Sequence, residues 1–183
     1  MTQPDRSIDP RQPVLVGLGA TNKPGPIAEL MTEAVRLSAA DAGAPGLLGS
    51  IDRIVYTQGS WRLRDPGRTV ARRIGATHAQ TVQAEVGVSQ QEVINYALAA
   101  VAASECNVVV VVGAEARAWE RQGGVETDDG AGPPDDVLKR PPEFIAPIEI
   151  AAGLVWPVIQ EYALIENALA ASEGLSSRTQ RDQ

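Results

Sequence analysis

Few side chains in this 183-residue chain can serve as nucleophile, base or metal ligand: there is one cysteine, Cys106, and one histidine, His78. A lone cysteine forms no internal disulfide and no cysteine-rich zinc site, and a lone histidine no multi-histidine metal site. Cys106 stands where a helix-patterned run meets a run of valines. Thiolates form at helix N-termini or beside a base, and a helix C-terminus opposes them. Cys106 therefore reads as structural, and His78, in a loop without a partner in sequence, as a surface residue. Asp128-Asp129-Gly130 has the acidity of a calcium loop but not the spaced ligands and final Glu of an EF-hand. Gly17-Leu18-Gly19-Ala20-Thr21-Asn22 follows an apolar run and precedes a helical pattern, as a dinucleotide-binding turn would. The third glycine position is Asn22, and the second strand ends in Thr57-Gln58, with no acid for a ribose hydroxyl. A tight backbone turn is the plainer reading; a Rossmann-like oxidoreductase is the weaker alternative it leaves.

Charge gives a second lead. The chain carries 23 acidic and 16 basic residues, a net charge of −7, which disfavours nucleic acid as a partner. Five arginines nevertheless gather in one stretch: Arg62, Arg64, Arg68, Arg72 and Arg73. A local positive patch can steer an anionic ligand, while a solvated face is the bland alternative.

The elements that would position these residues alternate. Pro13 to Gly19 reads as a short buried strand ending in glycines, and Pro26 opens a helix with Ile27, Leu30, Met31, Ala34, Leu37 and Ala40 on one stripe. Ile51 to Thr57 is a second strand. Asp65-Pro66-Gly67 opens a short helix over 68–74, and Thr81 to Val86 is a third strand. Ser89 and Glu92 match a capping box at the head of a strong helix. That helix buries Val93, Ile94, Ala97, Leu98, Val101 and Ala102, and 107–112 follows as a fully buried strand. This alternation predicts an α/β fold with a mostly parallel sheet, whose ligands sit at the C-terminal ends of the strands. Those ends are Gly17 to Gly19, Thr57 to Gly59, Val86 to Ser89 and Gly113 to Glu115. Gln122 to Asp136, rich in glycine, proline and acid, reads as a mobile loop. Residues 148–173 return to helical order, with Pro157 as a kink.

The run from Gly87 to Glu115, a helix leading into a strand that ends Gly113-Ala114-Glu115, resembles the thiolase superfamily. Val14 to Gly19 looks like that family's first strand and 51–55 like its second. Pro66 to Gly75 is similar to the helix that follows, and Glu149 to Leu169 to the helices of its loop domain. The resemblance covers roughly 12–178 and is nearest the sterol-carrier-protein-2 branch. It implies the N-terminal half of a thiolase-like αβαβα fold with part of a helical loop domain. Its divisions are a flexible leader (1–11), an α/β domain (12–119), a mobile acidic loop (120–141) and a partial loop domain (142–183).

By the same resemblance the chain is related to acetyl-CoA acetyltransferases, which move acyl groups between coenzyme A thioesters. The family's cysteine nucleophile falls on Gly87, with Val88 or Ser89 one or two residues away; none is a cysteine. The family's second half, with its histidine and second cysteine, is missing, as is the last strand of the first half. The implied ligand is coenzyme A or an acyl-CoA, with Arg62, Arg64, Arg68, Arg72 and Arg73 as candidates for its phosphates. The implied partner is a second copy or a subunit carrying the other half, and the alternative is a non-enzymatic scaffold of the same fold. No apolar run reaches the ~20 residues of a membrane span, and no secretory leader is evident. The expected setting is the cytoplasm, without membrane or metal.

Overall fold

The computed structural model of the chain describes residues 12–127, 131–140 and 159–174. Two compact units divide it, residues 1–140 and 141–183. In the first, four parallel strands form a sheet in the order β3-β1-β2-β4: β1 (Arg53–Thr57), β2 (Gln80–Ala84), β3 (Val109–Val112) and β4 (Asp136–Leu138). Val55 stands opposite Val82 on one side and Val111 on the other.

β1 is apolar on both faces because both are covered. Ile54 and Tyr56 pack among residues of α1 (Ile27–Asp41) and α2 (Pro66–Ile74), while Val55 packs with Val82, Ala84 and Val93 of α3 (Gln90–Ala102). Ile54, Val55 and Tyr56 are each fully buried. A short 3-10 turn (Pro45–Ser50) and α4 (Arg117–Arg121) complete the regular elements of this unit. The second unit contributes α5 (Ile159–Ser172). The expected helix from 148 and its kink at Pro157 lie outside the described residues.

Local chemistry explains where the helices begin. The Asp65 carboxylate accepts the Arg68 amide at 2.9 Å, Pro66 supplies a first position that needs no donor, and Gly75 ends α2 at φ 83°. At α3 the Ser89 hydroxyl accepts the Glu92 amide at 3.2 Å and the Glu92 carboxylate accepts the Ser89 amide at 2.8 Å, the reciprocal box read from sequence. At the head of α1, Pro26 has no side-chain cap to offer. Glu126 supplies it from far along the chain, accepting the Ile27 amide at 2.5 Å and the Ala28 amide at 3.1 Å.

Four expectations are corrected. The run 13–19 is not a buried strand: it joins no sheet, and Val14, Leu15, Val16 and Leu18 are 73%, 77%, 59% and 68% exposed. It lies along α1 instead, where a Cβ on Gly17 would meet the Ser38 carbonyl at 2.1 Å and one on Gly19 the Ala34 carbonyl at 2.1 Å. β3 is not fully buried, because among the described residues it is an edge strand, and Val111 is exposed. On α1 and α3 the buried stripe is rotated: Thr32, Val35 and Ala39 are inside on α1, and Leu37, Ile94 and Leu98 are outside. Inside the expected loop, β4 pairs with β2 and matches Gln83 to Val137.

One carboxylate braces the N-terminal ends of β1 and β3. Asp52 accepts the amides of Asn107 at 2.8 Å and Val108 at 3.0 Å, and its own amide donates to the Val108 carbonyl at 2.9 Å. The Asn107 amide, then that of Val108, holds the Asp52 carboxyl below the usual carboxylate range. A depressed carboxyl stabilises the fold above its unfolded pKa, and that contribution is lost as pH falls through the folded value. Resistance to urea should therefore fall below about pH 4. Asp52→Asn should cost about 1 kcal/mol at pH 7 and flatten part of that acid limb.

Candidate functional site

The C-terminal ends of β1, β2 and β3 open onto the same edge of the parallel sheet, the edge where such folds place ligands. Beyond β3, Glu115 accepts the Ser60 hydroxyl at 2.7 Å, the Ser60 amide at 3.0 Å and the Ala116 amide at 3.1 Å. This bonding joins the turn after β3 to the turn after β1. Burial pushes the Glu115 carboxyl up, but the Ser60 hydroxyl, the Ser60 and Ala116 amides and the Arg117 charge outweigh it. The group is held ionised, below its ordinary value. Trp61 is buried beneath the same turn and its Nε1 donates to the Ala114 carbonyl at 3.2 Å. Side chains would not fit here: a Cβ on Gly113 would meet Thr57 Oγ1 at 2.4 Å, and one on Gly59 the Trp61 ring at 2.3 Å.

Next to this turn lies a cavity of about 380 Å³, walled by Gly19 to Gly25 on one side and Gly113 to Ala116 and Trp119 on the other. Its one cationic lining residue, Lys23, is paired with Glu33 at 2.5 Å. A second cavity, about 230 Å³, is lined by Pro26, Leu63, Pro66, Arg73 and Glu126, among others.

The segment 86–89 heads α3 at the C-terminal end of β2. Gly87 adopts φ 106°, a backbone conformation that a side chain resists. Val88 has no reactive atom, and its amide donates to the Glu85 carbonyl at 3.1 Å. The Ser89 hydroxyl is engaged as the helix cap. His78 and Cys106 lie at the other edge of the sheet. His78 Nε2 is 3.9 Å from the Asp52 carboxylate, at the N-terminal end of β1. Cys106 is buried just before β3, and burial pushes its thiol up. The potential base and the potential thiol are thus a strand length away from the α3 N-terminus.

The five arginines do not form one patch. Arg62 and Arg64 are exposed on the turn between β1 and α2, on the ligand edge. Arg68 is turned inward: its guanidinium donates to the Ala79 carbonyl at 2.9 Å and Thr81 Oγ1 at 3.2 Å, and it pairs with Asp135. Arg72 and Arg73 sit in the last turn of α2, roughly 10 Å along the helix from its start. The Arg72 guanidinium reaches Thr69 Oγ1 at 3.4 Å, and the Arg73 carbonyl accepts from Arg36 at 2.9 Å. Sequence reasoning missed the bonding of Glu115 to Ser60 and the role of Asp135. Burial raises the Asp135 carboxyl, and the Thr81 amide and Arg68 guanidinium more than offset it. No local signal pairs residues so far apart in sequence.

A crystal structure of a monomeric SCP2-thiolase-like protein type 1 from Mycobacterium smegmatis overlays 95% of this chain, with 30% sequence identity and a TM-score of 0.59. The fold is SCP2-thiolase-like. The chain spans 32% of that protein's length. No family model and no curated protein matches the sequence. Within a thiolase-like fold, the absent strand at 13–19 also removes the strand-turn-helix context that a dinucleotide-binding turn requires. Among the described residues there is no cluster of metal ligands and no helix long and apolar enough to cross a membrane.

If Ser89 is a cap and Gly87 a conformational necessity, their substitution is felt in stability. Ser89→Ala should lower the urea unfolding free energy by about 1 kcal/mol. Gly87→Ala, forcing a side chain to positive φ, should lower it by about 1–2 kcal/mol.

Proposed function

We propose that this chain is the N-terminal portion of an SCP2-thiolase-like protein and binds a coenzyme A thioester without itself transferring the acyl group. The observation that carries the reading is the head of α3. The resemblance puts the nucleophile there, and the chain supplies a left-handed glycine, a valine and a capping serine. Acyl transfer through a covalent intermediate needs a nucleophile activated by a base or a lowered pKa. Ser89 Oγ accepts the Glu92 amide, and the carboxylate beside it, Glu92, is held below its ordinary value by the Ser89 amide and then the Ser89 hydroxyl, which makes it a weak base.

The ligand edge supports binding on separate grounds. A cavity of about 380 Å³ lies at the end of β3, within the usual range for small-molecule sites. Arg62 and Arg64, exposed on the same edge, suit the coenzyme A phosphates, for which guanidinium groups are bidentate partners. Arg72 and Arg73 are the second pair of candidates, of which Arg73 lines the smaller cavity, and Arg68 belongs to the internal network. In this reading the protein is related to acetyl-CoA acetyltransferases of lipid metabolism and works in the cytoplasm.

A second reading has its own observation. α3 buries Val93, Ala97 and Ala100 against the sheet yet leaves Ile94 and Leu98 exposed, so it is apolar on two sides. A helix apolar on two sides is built to lie between two layers. That favours a scaffold role, with a second copy or a subunit bearing the other half packed on α3.

Isothermal titration with coenzyme A separates the two. Saturable binding that weakens at least threefold in Arg62→Ala/Arg64→Ala supports the ligand reading; absence of heat at millimolar coenzyme A leaves the scaffold. Incubation with acetoacetyl-CoA should give no cleavage above buffer, and cleavage by the pure chain would overturn the non-catalytic assignment.

A further inference from the structure

The residues that follow α4 have a hinge at one end and a latch at the other. Gly123 stands at φ 94°, a conformation that glycine adopts without strain, and its amide donates to the Glu120 carbonyl at 2.9 Å. The Gly124 amide donates to the Trp119 carbonyl at 3.0 Å, and a Cβ on Gly124 would meet the Trp119 ring at 2.2 Å. Two residues further on, the Glu126 carboxylate accepts the Ile27 and Ala28 amides at the head of α1. Among the described residues, no other hydrogen bond or ion pair ties 125–127 to the rest of the unit, and Val125 is exposed.

This segment borders both cavities. Residues 125–127 form one wall of the smaller cavity, and the opposite wall comes from Pro26 and Ala28 at the head of α1 and from Leu63, Pro66, Thr69 and Arg73 in and before α2. Trp119, on which Gly124 rests, lines the larger cavity. The attachment can be released without unfolding the helix it holds. The Ile27 and Ala28 amides belong to the first turn of α1, have no intrahelical acceptor and can turn to water. The next two amides do not use Glu126: those of Glu29 and Leu30 donate to the Pro26 carbonyl at 3.1 and 3.0 Å. Segments held by so few bonds open locally, far more often than the fold as a whole.

We propose that residues 123–127 are a lid on the smaller cavity, hinged at Gly123 and Gly124 and latched by the Glu126 carboxylate on the head of α1. The structure holds the closed state. On opening, both latch bonds break in one event, the segment swings away from α1, the cavity meets solvent and α1 stays folded. Such hinges are a few loop residues that absorb the change in φ and ψ. Because Gly124 is seated on Trp119, the lid also braces a wall of the larger cavity. The lid goes beyond the ligand reading and requires no coenzyme A. A failed titration with coenzyme A leaves it standing, and its own failure leaves the ligand reading standing.

The test combines amide hydrogen exchange with thiol accessibility on the 183-residue chain. In the unsubstituted chain, Ile27 and Ala28 should show the same protection factor within about twofold, at least tenfold below that of Leu30. Gly124→Ala places a Cβ against Trp119 and should push the lid off. It should speed exchange at Ile27 and Ala28 at least threefold and leave Leu30 unchanged, although residue 124 bonds to neither amide. A cap acting only on its own helix would not respond to that change. For access, Thr69→Cys in a Cys106→Ser background puts the one thiol on the far wall of the smaller cavity. Adding Glu126→Ala should raise its rate of reaction with dithiobis(nitrobenzoate) at least fivefold. Should the cysteine variant fail to fold, the two exchange results decide alone. Three results would each overturn the proposal: Ile27 and Ala28 as protected as Leu30, no response of these amides to Gly124→Ala, or a thiol rate at 69 that Glu126→Ala leaves unchanged.

Discussion

Everything in the first unit hangs on the double-sided burial of β1. Burying a side chain of the size of Ile54 or Val55 is worth about 1.5–3 kcal/mol, and β1 does this on both faces at once. That requires helices above and below, which fixes α1 and α2 on one side and α3 on the other. It also requires parallel neighbours, because the crossover helices return the chain to the same end of the sheet. With strand direction set, the loops after β1, β2 and β3 gather on one edge. The candidate ligand site is therefore a consequence of the core, and its residues come from three distant parts of the sequence.

The two edges of the sheet have been put to different uses. At the N-terminal edge, Asp52 ties β1 to β3, and Arg53 reaches Tyr96, Glu105 and Gln80, each at 3.1–3.2 Å. This edge is closed by structural polar contacts, and it holds both His78 and Cys106. At the C-terminal edge, glycines at 59 and 113 keep the backbone bare, and one ionised carboxylate, Glu115, pins two turns together. The chemistry that the chain could offer and the cavity that could use it are at opposite ends. This separation, more than the mere scarcity of cysteine and histidine, argues for binding without covalent catalysis.

What could be read from the sequence was what is local. Asp65-Pro66 at the head of α2, Gly75 at its end and the Ser89–Glu92 box at α3 each involve residues within a turn of one another, so composition and spacing suffice. The same holds for the valine strand and for the order of strands and helices, which carried the thiolase resemblance. The failures are all non-local. A strand requires a partner, and the sequence of 13–19 does not disclose whether one is present. Likewise five valines in a row look the same in the middle of a sheet as at its edge. The Glu126 cap on α1, the Asp52 brace and the inward turn of Arg68 join residues separated by tens of positions, with no periodicity to reveal them. The arginine cluster was dispersed for a related reason: α2 runs back along the sheet and carries Arg72 and Arg73 away from Arg62 and Arg64.

The central claim is that coenzyme A is held at the C-terminal edge by a site without a nucleophile. The most direct measurement is an amide hydrogen-exchange footprint of the chain with saturating coenzyme A. The account predicts slowed exchange at 57–62 and 113–116, with residues 52 and 106–108 unchanged. A footprint at 52 and 106–108 with none at the C-terminal edge would contradict it.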